Sequence, residues 1–384
     1  MNARLVLPAL ALGTLALSGC VSNDTSSADG TIDVSSTSDG CELTTNTAPS
    51  GSMVFKVTND GDDVTEFYLL ADDGLRIITE VENIGPGLSR ELVAQVPAGD
   101  YITACKPGMV GDGIQAAFTV TDSGEEVGPT GEIGEQLQAA SDQYLLYVRD
   151  QVATLVTKTD AFADAYLAGD DQAAADMYAD TRVHWERIEP VAEAFGDLDP
   201  SMDLREADLA ENEEWTGWHH IEKNLFPPAE GYELTQEERQ ALTDRLVSDT
   251  AELNKRVNAE DFKIDAFQIG NGAKELLDEV AAGKITGEEE AWSHTDLWDF
   301  QANLDGASVA FGVLRPVLEQ TDPDLATELD ARFDAVQVLL AAQGSVEDGF
   351  TYYTDLTDDQ IQELARAVDA LGEPLSRLTA AAVL

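Results

Sequence analysis

A multidomain fold, an all-β sandwich followed by an all-α helical bundle, is predicted by three observations. Apolar residues alternate with period two from about residue 31 to 122, recur at the helical period over 136–384, and a Gly- and Glu-rich stretch separates the two regions. The chain has 384 residues, of which 43% are hydrophobic, enough for two or three packed domains. Lys plus Arg number 22 against 74 Asp plus Glu, a formal net charge of −52. That balance leaves no basic face for nucleic acid, which is excluded as a partner. Acidic residues occur in every segment, so the charge is a solvated surface rather than a disordered tail. Solubility in a salty host, where screening relieves self-repulsion, accounts for it; a surface that concentrates cations near a binding site is the sharper reading.

Residues 1–20 read as a secretory signal, with an apolar run from Leu5 to Leu17 broken by Pro8, Gly13 and Thr14. The run is too short to span a bilayer. Leu17-Ser18-Gly19-Cys20 has the form of a lipobox, which predicts a lipoprotein acylated at Cys20 and held at a membrane, in the periplasm or on the cell surface. Residues 21–30 lack apolar periodicity and fit a flexible tether. Two cysteines are left, Cys41 and Cys105, and in an oxidising compartment an even remainder predicts a disulfide.

In the β region the alternating residues are Met53, Phe55 and Val57, then Phe67 and Leu69, then Leu92, Ala94 and Val96. Asn59-Asp60-Gly61, Gly85-Pro86-Gly87 and Pro97-Ala98-Gly99-Asp100 supply the turns of a sandwich over 31–122. Residues 123–135 are predicted to be a linker. Beyond it Tyr144, Val148, Val152, Leu155, Phe162 and Tyr166 form a helical stripe, as do Leu325, Leu329, Phe333, Val336 and Leu340. Thr235 with Glu238 and Thr357 with Gln360 predict capping boxes, and Asp322-Pro323 predicts an N-cap with Pro in the first turn. Pro227-Pro228 stops the helix before it, and no strand is expected in 136–384.

All four histidines, His184, His219, His220 and His294, lie in the helical region. In Gly217-Trp218-His219-His220-Ile221-Glu222, His219 and Glu222 are three apart and share a helix face, so a nitrogen and a carboxylate can reach one cation. His220 points elsewhere. The pattern is common, and its bland reading is a surface histidine beside an acid. Two further segments cluster acids with histidine and aromatics: His184 to Pro190, and Glu288 to Phe300. A polar network locking helices together explains either one alone; three such faces meeting in a bundle are the usual way to hold a transition metal.

The blocks Arg182 to Pro190, Gly217 to Lys223 and Ser293 to Asn303 together closely resemble the Efe-type iron-uptake lipoproteins, over essentially the whole mature chain. The resemblance implies a cupredoxin-like first domain and an imelysin-like second one, of a family classed with peptidases, whose His-x-x-Glu motif falls on His219 and Glu222. It implies iron as cargo, with a membrane iron permease and a haem peroxidase as partners. In the first domain Glu66, Glu80, Glu82 and Cys105 match positions proposed in that family to bind copper or iron. No histidine lies there, so a copper centre built on two imidazoles is excluded. Cys41 competes for Cys105, leaving disulfide and ligand as alternatives. In the helical domain, acids from other helices complete the site. The loop after Pro228 differs in length from the family, so Glu237, Glu238 and Asp244 are not ranked, and Asp299, Asp296 and Glu289 are the expected partners. Trp218, Trp292 and Trp298 are expected to wall the site.

A zinc peptidase needs an open metal position and a free carboxylate base. Glu222 is already required as a ligand, and no second histidine follows at the His-Glu-x-x-His spacing. A metal-binding protein, not an enzyme, is therefore the expectation, with a zinc metallopeptidase as the alternative and an acidic adhesin as a third. The acid-rich, histidine-poor set suits ferric or ferrous iron, and zinc can occupy it in vitro.

Overall fold

The computed structural model describes residues 31–109, 111, 113–125, 127–209 and 214–384. The expected signal segment, Cys20 and the tether 21–30 lie outside the described residues. Strands β1 (Thr31–Thr37), β2 (Gly40–Leu43), β3 (Thr47–Pro49), β4 (Gly51–Asn59), β5 (Thr65–Leu70), β6 (Ile77–Ile84), β7 (Ser89–Val96), β8 (Gly99–Cys105) and β9 (Ile114–Thr121) form two sheets. Their orders are β2-β1-β4-β7 and β3-β9-β8-β5-β6. The pairs β1–β4 and β3–β9 are parallel and the others antiparallel. Period-two burial brings the two inner faces together: the Phe55 ring of one sheet lies 5.2 Å from Phe67 and 5.5 Å from Phe118 of the other.

Cys41 on β2 and Cys105 on β8 form a disulfide across the two sheets, with Cα atoms 5.6 Å apart. This corrects the expectation that Cys105 is a metal ligand, because a disulfide sulfur offers no thiolate. The bridge closes a loop of sequence separation 64. Loop-closure entropy then predicts that the Cys41→Ser, Cys105→Ser double variant loses about 4 kcal/mol. Urea unfolding of the oxidised wild type and the variant measures it, and equal midpoints would exclude a stabilising bridge.

Helix α1 (Gly131–Leu167) starts inside the stretch expected as linker, and is followed by α2 (Asp171–Glu186), α3 (Glu189–Glu193), α4 (Asp199–Met202), α5 (Gly217–Leu225) and α6 (Gln236–Val257). Then come α7 (Ala266–Ala282), α8 (Asp296–Thr321), α9 (Pro323–Ala341), α10 (Asp358–Leu375) and α11 (Leu378–Val383). Both capping boxes form, and Asp322 caps α9 through the Leu325 N–H. The two predicted apolar stripes are buried. One difference from the all-helical expectation is a two-residue hairpin, β10 (Gly344–Ser345) with β11 (Gly349–Phe350). It is too short to leave a period-two signature, and both Gly344 and Gly349 adopt positive φ. No helix among the described residues is long and apolar enough to cross a membrane.

The edge strand β6 docks on α7. Asn271 Nδ2 donates to Thr79 Oγ1 at 2.7 Å and to Val93 O at 2.9 Å, and Gln268 Nε2 donates to Ile78 O at 3.0 Å. These bonds satisfy sheet-edge groups that would otherwise be buried without partners.

Candidate metal centre

Local sequence dictates how α5 carries its ligands. Gly217 opens the helix at φ 82°, and a Cβ there would lie 2.1 Å from Met202 O, so only glycine lets α5 abut the end of α4. That contact sets His219 against Asp203, the residue after α4. His219 and Glu222 are both buried, with His219 Nδ1 3.4 Å from Glu222 Oε2. On the other side His219 Nε2 lies 3.4 Å from Asp203 Oδ1 and 3.6 Å from Glu289 Oε1, and Glu290 Oε1 stands 4.0 Å from Nδ1. Four carboxylates thus surround one imidazole. Asp203, His219 and Glu289 form one set whose ligand atoms lie within 4.8 Å of one another, and His219, Glu222 and Glu290 form another. Donors held at about 2.1 Å from one ion lie up to about 4.2 Å apart, a span that covers the 3.4 and 3.6 Å from His219 Nε2 to Asp203 and Glu289. His219 Nε2 has no hydrogen-bond partner although it is buried among acids, which is the mark of an atom aimed at something other than protein.

The remaining polar groups fix this arrangement. Glu222 Oε1 accepts from the Trp292 N–H at 3.0 Å and the Ser293 N–H at 2.7 Å, leaving Oε2 to face His219. Arg182, fully buried on α2, holds Glu290 Oε1 at 2.8 Å and also contacts Asp203 and Glu186. Burial and the Arg182 charge push the His219 pKa down, but the carboxylates of Glu222, Glu289 and Asp203 outweigh them and raise it well above the usual value. Burial raises the acids, yet Arg182 and His219 leave Asp203 below its ordinary value, Lys284 and His219 leave Glu289 well below, and His219 with two backbone N–H groups lowers Glu222. Burial, with the charge of Glu222, pushes Glu290 well up. The centre therefore has three anionic oxygen donors, Asp203, Glu222 and Glu289, grouped about one imidazole.

Of the expected partners, Glu289 meets His219, whereas Asp296 and Asp299 are buried nearby but outside the sets that converge on it. Asp296 Oδ1 accepts from the Glu290 N–H at 3.2 Å, and burial pushes its pKa to about 7. Asp299 Oδ1 lies 3.8 Å from Arg182 Nε. Sequence reasoning did not single out Asp203, which sits in an irregular turn after a four-residue helix with no periodic signal; Glu290 and Arg182 stood inside quoted segments without a role. His220 Nδ1 donates to Trp215 O at 2.8 Å, its Nε2 is hydrogen-bonded to Tyr232 Oη at 2.7 Å, and its ring stacks on Trp215. His184 bonds Gln151 at 2.8 Å. Trp218 packs against Phe162 and Tyr178, Trp292 contributes its backbone N–H to Glu222, and Trp298 packs on Phe350 and Tyr352. Glu238 is engaged in its capping box.

The first-domain acids lie at the seam between domains. Tyr68 Oη donates to Glu66 Oε2 at 2.6 Å and to Glu82 Oε1 at 3.3 Å. Burial, then the Glu66 charge, raises the Glu80 pKa to about 8, and α7 residues Glu275 and Glu279 are pushed up with it. The unfolded value for Glu80 is 4.5, so between pH 4.5 and 8 the unfolded chain has released a proton that the folded chain keeps. The contribution of Glu80 to stability falls as pH rises through that window. Glu80→Gln is expected to remove this part, so the stability advantage of the variant over the metal-free wild type widens from pH 5 to 8 in urea titrations. A constant difference across that range would count against a buried, protonated Glu80.

Residues 140–378 match the imelysin family, Peptidase_M75. The iron uptake system component EfeO of Yersinia pestis is 38% identical over 341 residues, 88% of this chain and 87% of the relative. EfeO of Escherichia coli O1:K1 is 36% identical over 350 residues, 90% of each chain. A crystal structure from Parabacteroides distasonis, described as an iron-regulated protein A precursor, has a TM-score of 0.51 at 18% identity and covers 67% of this chain and 97% of its own, a likeness of fold alone. The chain belongs to the imelysin family and, within it, to the EfeO type.

Proposed function

We propose that the chain is the extracytoplasmic iron-binding component of an Efe-type uptake system, lipid-anchored through Cys20, which captures iron as cargo and delivers it to a membrane permease. One observation carries this reading: a buried imidazole faces four carboxylates, one of its nitrogens lacks a hydrogen-bond partner, and three of the acids are held anionic. Hard oxygen donors with a single nitrogen suit ferrous or ferric iron, and zinc enters the same set in vitro. The sandwich, read as cupredoxin-like, offers Glu66 and Glu80 as auxiliary oxygen donors without a thiolate. That the relatives are iron uptake system components supports iron uptake, and the system's permease and haem peroxidase are the proposed partners. The test is anaerobic titration of the full chain with ferrous iron, joined to uptake at low iron in a host lacking its own component. Tight binding and restored uptake by the wild type, with both lost in Glu222→Ala, are expected. Absence of iron binding would overturn the reading, and peptide hydrolysis abolished by Glu222→Ala would replace it with the metallopeptidase.

A further inference from the structure

Every donor around His219 is buried, so an ion reaches the centre only where a wall of it opens. Among the described residues, Arg205 is the one cation paired with a donor acid that reaches solvent. Its Nη1 lies 3.2 Å from Glu289 Oε2 with 32% of the side chain exposed, whereas Arg182, the other arginine on these acids, is fully buried. A Cβ at Gly283 would stand 2.9 Å from Arg205 Nη1 and 3.3 Å from Glu289 Oε2, so glycine there leaves the room in which the pair meets.

Arg205 belongs to a strap, residues 204–208, that leaves Asp203 and is tied to the elements carrying the other donors. Trp215 Nε1 donates to Leu204 O at 2.7 Å, and Lys223 Nζ on α5 lies 2.6 Å from Glu206. The same ammonium stands 4.8 Å from the Tyr232 ring centre and 5.2 Å from that of Trp292. No side chain of Glu206–Asp208 is buried, and Leu204 and Arg205 are half-buried outside the apolar core. The strap is thus held by polar contacts alone. Partly exposed ion pairs are weak, and local opening begins in segments without core contacts. Glu289 turns Oε1 to His219 and gives Oε2 to Arg205, so one acid is both donor to the ion and catch for the strap. With Asp203 at its root, lifting the strap displaces two donors at once.

We propose that the strap is the gate through which iron enters and leaves the centre, latched by Arg205 on Glu289 and by Lys223 on Glu206. The inference rests on the iron-binding reading of the same centre. A gate sets both exchange rates; an arginine that only orients Glu289 sets release alone.

The test measures both rates anaerobically on the full chain, for the wild type, Arg205→Met and Glu206→Gln. Association is followed by tryptophan fluorescence on mixing metal-free chain with ferrous iron, and release by absorbance on mixing the iron-loaded chain with excess ferrous chelator. In each variant both rates are expected to rise by a similar factor, on the order of fivefold, the share of one partly exposed ion pair, with affinity nearly unchanged. Faster release at unchanged association in Arg205→Met would overturn the gate, as would wild-type rates in Glu206→Gln. Glu206 is exposed and touches no donor, so that variant decides alone if Arg205→Met does not fold. A wild type that binds no iron sinks the proposed function itself, whereas iron binding with wild-type rates in both variants sinks only the gate.

Discussion

His219→Ala is expected to lower the affinity of the full chain for ferrous iron on the order of 100-fold, with helical content unchanged. Loss of residues that merely support metal ligands commonly costs about 10- to 100-fold, and a ligand costs at least as much. His219 is the one nitrogen donor in the two sets it joins, and its two nitrogens face different carboxylates. Removing it deletes the member common to both sets and leaves Asp203, Glu289, Glu222 and Glu290 around a vacated volume. By contrast, His220→Ala is expected to leave affinity unchanged, since its ring is engaged by Trp215 and Tyr232. Competition titrations against a chelator of known affinity measure both. Equal losses in the two variants would place the ion somewhere other than beside His219.

Arg182→Met is expected to lower the stability of the metal-free chain by about 3 to 5 kcal/mol, the usual cost of removing one partner from a buried ionic network. Arg182 is 0% exposed and contacts Asp203, Glu186 and Glu290, all of them buried. Burying those carboxylates without their cation forces them to take up protons or repel one another. Metal added to the variant supplies positive charge to the same oxygens, so part of the loss is recovered and the metal-induced rise in unfolding midpoint exceeds that of the wild type. Urea midpoints with and without metal give both quantities. A loss below about 1 kcal/mol would mean that Arg182 is not the charge that holds the centre together.

Much of the architecture could be read from residue order. The alternation of Met53, Phe55 and Val57 and the stripe from Tyr144 to Tyr166 each end up buried, because side-chain periodicity is a property of a single element and its one apolar face must be covered. Caps at Thr235, Asp322 and Thr357 formed for the same reason: cap and first turn are three residues apart, and nothing distant can change them. The hairpin at residues 344–350 escaped because two paired residues have no period.

The centre divides along the same line. His219 and Glu222 could be paired from the sequence, since i and i+3 share a helix face whatever the rest of the chain does. Glu289 stood out within an acidic run, yet the choice of Glu289 and Glu290 over Asp296 and Asp299 required knowing how the turn before α8 lies against α5. Asp203 had no local mark at all. It reaches His219 because Gly217 lets α5 close on the end of α4, a contact between backbones that no spacing rule encodes. Arg182, Lys284 and the seam that sets Glu80 near Glu275 are likewise consequences of helices and sheet meeting in space. Residue order thus settled which elements form and which pair could share an ion, because those depend on local geometry. Packing alone settled which acids converge and which cations neutralise them, because charge interactions act through distance in space rather than along the chain.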